Sequence, residues 1–113
     1  MLTIYHNPRC SKSREGLELL GLQDKPFTVI KYFNEPFTKE ELTGIIVKLG
    51  ISPLDLVRQK EKAWIDNYKG TTLTDDEIID ALLTRPALIE RPIVINDDKA
   101  VIARPADKIK EIL

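Results

Sequence analysis

Cysteine, histidine, methionine and tryptophan occur once each in this sequence, and aromatic residues make up only 6% of it. A lone thiol closes no internal disulfide, so the chain does not belong with disulfide-stapled secreted domains, and a reducing cytoplasmic setting is expected. One histidine and one cysteine cannot fill a tetrahedral site, so no metal is expected. A second sulfur for a dithiol redox cycle is missing as well. No apolar run reaches the ~20 residues that cross a bilayer. Met1-Leu2-Thr3-Ile4-Tyr5 leads straight into a strand pattern, without the charged and apolar blocks of a signal peptide. Neither sign of charge dominates: 17 Lys and Arg stand against 18 Asp and Glu, a formal net charge of -1. With the signs interspersed there is no basic stripe for nucleic acid and no drive toward a membrane.

What is present suits one soluble globular domain spanning residues 1–113, with 42% apolar and 31% charged residues. Leu2 to His6 alternates like a short strand, broken by Asn7-Pro8. A helix is predicted from near Ser11, with Leu17, Leu19 and Leu20 at helical spacing and Gly21 as C-cap. Phe27 to Tyr32 reads as a second strand. This β-α-β unit should be parallel and right-handed. Thr38-Lys39-Glu40-Glu41 is a capping box opening a helix that stops at Gly50. Pro53 opens a short helix ending around Arg58. Lys60 to Lys69, with Trp64, is read as a short helix or loop. Thr74-Asp75-Asp76-Glu77 is a second capping box, and its helix ends before Pro86. Pro92–Ile95 and Ala100–Ala103 flank a short polar turn, which predicts an antiparallel hairpin. Pro105 is placed at the first position of a closing helix carrying Ile109, Ile112 and Leu113 on one face. The expected architecture is an α/β four-stranded mixed sheet with flanking helices and a helical insertion between a β-α-β and a β-β-α half.

The chemistry gathers at Tyr5-His6-Asn7-Pro8-Arg9-Cys10-Ser11-Lys12-Ser13-Arg14. A thiol between a strand and a helix meets unpaired backbone N–H groups. The helix dipole is worth only ~0.3–1 kcal/mol. Directed N–H bonds and nearby cations are therefore needed to bring the thiol well below ~8.5. Arg9, Lys12 and Arg14 are close enough in sequence to supply charge. The same N–H groups suit a tetrahedral oxyanion. A buried, inert cysteine is the competing reading of the same residue.

This loop resembles the active-site loop of the glutaredoxin-dependent arsenate reductases, the ArsC family. The resemblance continues in Gly50-Ile51-Ser52 before Arg58, in Thr74-Asp75-Asp76, in Glu90-Arg91-Pro92-Ile93-Val94 and in Arg104-Pro105, and so covers essentially the whole chain. It implies a thioredoxin-like fold. It implies that Cys10 attacks arsenate, that Arg58, Arg91 and Arg104 hold the oxyanion, and that His6 lowers the thiol pKa with support from Ser13. Pro92 matches the cis-proline facing the cysteine of thioredoxin-like folds. Arginine suits the clamp, because guanidinium binds an oxyanion with paired hydrogen bonds.

With no second cysteine, a Cys10–arsenate adduct must be resolved from outside. The family uses glutathione as co-substrate and then glutaredoxin, with no tightly bound cofactor and arsenite as product. A monomer is expected. Two alternatives stand beside this. Spx-like regulators share the fold and bind RNA polymerase, but usually carry Cys-x-x-Cys where Ser13 holds the second position here. An ArsC-like thiol oxidoreductase with another substrate is the other, because Arg9-Cys10-Ser11-Lys12 departs from the Ala-Cys-Gly-Thr of well-known resistance enzymes.

Overall fold

The computed structural model describes residues 1–113, which form two compact units: Met1–Glu35 with Arg91–Leu113, and Pro36–Glu90.

The first unit holds the sheet. Its strands are β1 (Leu2–Tyr5), β2 (Phe27–Ile30), β3 (Ile93–Asn96) and β4 (Lys99–Ile102), in the order β2-β1-β3-β4. β1 runs parallel to β2, with Leu2 beside Phe27, and antiparallel to β3, with Tyr5 beside Ile93. β3 and β4 form the expected antiparallel hairpin, its turn closed by Asp97 at φ 55°. The strand period of two turns Leu2 and Ile4 to one face. There they meet Leu20 of helix α1 (Ser11–Gly21), Val94, Ala103, Ile109 and Ile112 in one buried cluster. Ile93, Val94 and Ile95 are all buried, so β3 is covered on both faces, as its continuous apolar run requires.

Some expectations shift in this unit. β2 ends at Ile30 rather than Tyr32, because the chain turns at Lys31, whose carbonyl accepts both the Asn34 and Glu35 N–H groups at 2.9 Å. Tyr32 is still buried and stacks on Phe33. Gly21 is the last helical residue and not the cap. α1 tightens instead, with Leu22 N–H on Leu19 O, and the left-handed position falls later, at Asp24. The closing element, Ala106–Glu111, is 3-10, with Pro105 capping it from outside. Its i, i+3 repeat stacks Ile109 and Ile112 on one side.

The second unit holds the helical insertion. α2 (Lys39–Leu49) and α4 (Asp75–Thr84) both start with complete capping boxes, at Thr38 with Glu41 and at Thr74 with Glu77. α2 ends on Gly50 in the left-handed conformation (φ 68°), where a side chain would be strained. Lys39 Nζ ties the two helices through Asp76 (2.9 Å) and Asp80 (3.1 Å). α3 (Lys62–Asn67) buries Trp64 and stacks it on Tyr68. The helix opened by Pro53 is 3-10 and stops at Leu56, short of Arg58. Val57 bridges to Ile89 instead, and Arg58 N–H donates to Leu88 O at 2.7 Å, so backbone pairing ends the helix early.

Candidate active site

Cys10 is the N-cap of α1, in extended conformation. The residues before it form a wired turn. Asn7 O accepts the Cys10 N–H at 3.0 Å, and Asn7 Oδ1 accepts the Arg9 N–H at 3.1 Å. The Asn7 N–H donates to Ser13 Oγ at 2.9 Å. Arg14 returns from the first turn of α1 to donate through Nη1 to Pro8 O at 2.9 Å. A short strand followed by His6-Asn7-Pro8 folds this way because proline removes one donor and Asn closes an Asx turn two residues on.

The Cys10 thiol is half-buried, and burial pushes its pKa up. The Ser13 N–H, the Arg91 side chain, the Lys12 N–H and the Arg91 charge, in that order, more than reverse this, leaving the thiol below its ordinary value. The neutral sulfur closes no capping hydrogen bond. A neutral thiol is a weak acceptor, whereas the thiolate draws the N2 and N3 amides as an oxygen cap would.

His6 is buried, with Nδ1 2.7 Å from Ser13 Oγ. Burial, the Lys31 charge and the Arg14 charge hold its pKa below the ordinary value, and hydrogen bonding at Ser13 opposes them. The imidazole is therefore neutral at neutral pH and brings no positive charge to the sulfur. Ser13 is fully buried, and its hydroxyl is committed to His6 and Asn7. What it presents to the sulfur is its backbone N–H.

Arg91 is 8% exposed, and its guanidinium bears on the Cys10 sulfur. The Arg91–Pro92 bond is cis, as is Arg104–Pro105. Gly16 of α1 lies against Pro92: a Cβ there would stand 2.7 Å from the Pro92 ring, so the bare glycine permits this approach. Arg104 Nη1 reaches Arg91 O at 3.4 Å, which brings the two arginines together. Arg58 belongs to the Pro36–Glu90 unit, where Nη1 pairs with Glu61 Oε2 at 3.2 Å. Arg14 braces the loop through Pro8 and acts on His6, while Lys12 pairs loosely with Glu15 at 3.6 Å. No group of three His, Cys, Asp or Glu side chains converges as metal ligands, and no helix is long and apolar enough to cross a membrane. The residue missed from sequence is Asn7. The Asn-Pro pair, a turn signal, was the clue.

The ArsC family model matches residues 5–112. Arsenate reductase of Haemophilus influenzae is 42% identical, with 97% of each chain covered. YfgD of Escherichia coli K12, an uncharacterized protein, is 40% identical over 97% of this chain and 94% of its own. The structure of arsenate reductase from Vibrio cholerae, 40% identical, superposes with a TM-score of 0.93, covering 99% of this chain and 97% of that one.

Proposed function

The chain belongs to the ArsC family, and from that premise we propose that it is an arsenate reductase in which Cys10 is the nucleophile and residues 1–113 act as one catalytic domain. The observation that carries this reading is the placement of Cys10 at the N-cap of α1 with the buried Arg91 guanidinium bearing on its sulfur, an arrangement that lowers the thiol pKa. An acidic thiol is available as thiolate at neutral pH, and the donors that stabilise it also suit an oxyanion.

The Cys10 thiolate forms a sulfur–arsenic bond as an arsenic–oxygen bond breaks, and the oxygen takes up protons and leaves as water. Arsenic remains pentavalent. The thiol of glutathione then displaces a second oxygen as water and forms a second sulfur–arsenic bond. A thiol of glutaredoxin attacks the glutathione sulfur. A disulfide forms, the sulfur–arsenic bond breaks, and its electron pair stays on arsenic, now trivalent. Hydrolysis of the remaining Cys10–arsenic bond releases arsenite and restores the thiol. Arg91 and Arg104 neutralise the oxyanion, so that a thiolate can approach a like charge; the family pattern extends the same role to Arg58. His6, Ser13 and Arg14 keep the loop in place. The need of the lone thiol for a reducing pool supports a cytoplasmic setting with glutathione and glutaredoxin as partners, and the proposal takes the chain as a monomer.

The test is a coupled assay with NADPH, glutathione reductase, glutathione, glutaredoxin and arsenate, run beside Cys10→Ser. Arsenate-dependent NADPH oxidation in the wild type and none in Cys10→Ser is the expected result. Equal turnover in both would end the nucleophile assignment, and no turnover in the wild type would end the assignment of arsenate.

A further inference from the structure

We propose that Asn7 is a positioning residue for Cys10: it holds the turn that aims the sulfur at the Lys12 and Ser13 amides. This rests on Cys10 being the reactive thiol. Asn7 is 7% exposed and bonds in three directions at once. Its carbonyl takes the Cys10 N–H at 3.0 Å, so the amide of the reactive residue is fixed. Its own N–H, at 2.9 Å from Ser13 Oγ, ties the end of β1 to the third residue of α1. Its side-chain Oδ1, at 3.1 Å from the Arg9 N–H, closes the turn over Pro8. Pro8 has no N–H, so Cys10 and Arg9 carry the only amide donors between Asn7 and the helix, and Asn7 satisfies both.

Only the third bond depends on the side chain. Without it the Arg9 N–H loses its acceptor and the Pro8-Arg9 turn is held by its ends alone. Cys10 caps a helix whose N2 and N3 amides are directional donors, so a small rotation of the turn weakens their hold on a thiolate. Asn is suited to this position because its amide oxygen reaches the N–H two residues on while adding no negative charge beside the sulfur.

The test follows the rate of iodoacetamide alkylation against pH, together with the thermal midpoint, for wild type, Asn7→Ala, Asn7→Ser and the exposed control Asn34→Ala. Loss of directed bonding to a charged acceptor slows alkylation of Asn7→Ala roughly tenfold at pH 6 and moves the inflection to higher pH. Serine closes the same turn more weakly, so Asn7→Ser falls between Asn7→Ala and wild type, and Asn34→Ala matches wild type. A folded Asn7→Ala with the wild-type inflection, whatever its thermal midpoint, overturns the proposal and leaves Asn7 a structural residue only. If Asn7→Ala does not fold, Asn7→Ser decides, and coincidence with wild type overturns it. A wild-type inflection in the ordinary thiol range defeats the reading of Cys10 itself, and the two failures are thereby distinguished.

Discussion

His6 Nδ1 stands 2.7 Å from Ser13 Oγ, and it is the Ser13 N–H that bears on the Cys10 sulfur. The imidazole thus reaches the thiol through a neighbour. Removing either partner leaves the other's buried polar group short of a bond and frees the first turn of α1. His6→Ala and Ser13→Ala are each expected to lower stability by about 1–3 kcal/mol and to shift the alkylation inflection of Cys10 upward. Because the His6–Ser13 bond is lost in either single variant, the double variant should fall short of their sum, with a coupling of about 0.5–3 kcal/mol in a double-mutant cycle by urea unfolding. Strict additivity would show that the two residues act separately.

The same histidine gives a pH dependence whose sign is determined. Burial, Lys31 and Arg14 together hold folded His6 below its ordinary value. Between the folded and unfolded values the unfolded chain binds more protons, so stability rises with pH there. The contribution is fully present above about 6.5, the ordinary value, and is lost as pH falls through the folded one. Urea unfolding at pH 7 and pH 5 should show wild type losing more stability than His6→Gln, which retains a polar side chain but does not titrate. Equal losses would mean that His6 is as easily protonated folded as unfolded.

The helical unit offers a contrast in which stability moves and chemistry does not. Thr74 Oγ1 accepts the Glu77 N–H at 3.2 Å, while Glu77 Oε1 takes the Thr74 N–H at 2.9 Å. Thr74→Ala removes one half of that box and should cost about 1 kcal/mol. The Cys10 alkylation profile should match wild type. A shifted profile would reveal a dependence of the thiol on α4 that its immediate partners do not account for.

These contrasts follow what was legible in the sequence. Both capping boxes could be read because Thr38 with Glu41, and Thr74 with Glu77, satisfy each other within four residues. Cys10 could be placed between strand and helix from the sequence, but its choice over an inert, buried cysteine came from the family pattern. Arg91 and Arg104 could be nominated only through the family pattern, since the β1–β3 pairing beside them joins residues about ninety positions apart. The direction of Ser13 was not legible: spacing puts it in the first turn but does not say whether its hydroxyl or its amide meets the sulfur. Local sequence puts Arg58 at a helix end, because the Val57–Ile89 bridge that ends the helix earlier involves a distant partner. Ordinary side-chain preference also misled at Gly21, where a tightened last turn does the work of a left-handed glycine.

Arg91 and Arg104 should separate by what each touches. Arg91 is buried beside the sulfur, so Arg91→Ala removes both a stabiliser of the thiolate and an oxyanion donor. Losing a hydrogen bond to a charged group costs about 1.5–3 kcal/mol, so kcat/KM for arsenate should fall roughly ten- to a hundredfold and alkylation should slow at pH 6. Arg104 donates through Nη1 to the Arg91 carbonyl oxygen at 3.4 Å, whereas it is the Arg91 guanidinium that bears directly on the sulfur. Arg104→Ala should therefore raise KM while leaving the alkylation profile of the free enzyme near wild type. Lysine at 91 restores the charge without the planar fork, and should recover alkylation better than arsenate turnover. Lys25, exposed in the loop before β2, is the suitable control. Lys39 is not, since it ties α2 to α4 through Asp76 and Asp80. If both arginine variants slow alkylation equally, thiolate stabilisation and oxyanion binding are not divided between them, and the assignment of Arg91 as the residue shared by both steps is lost.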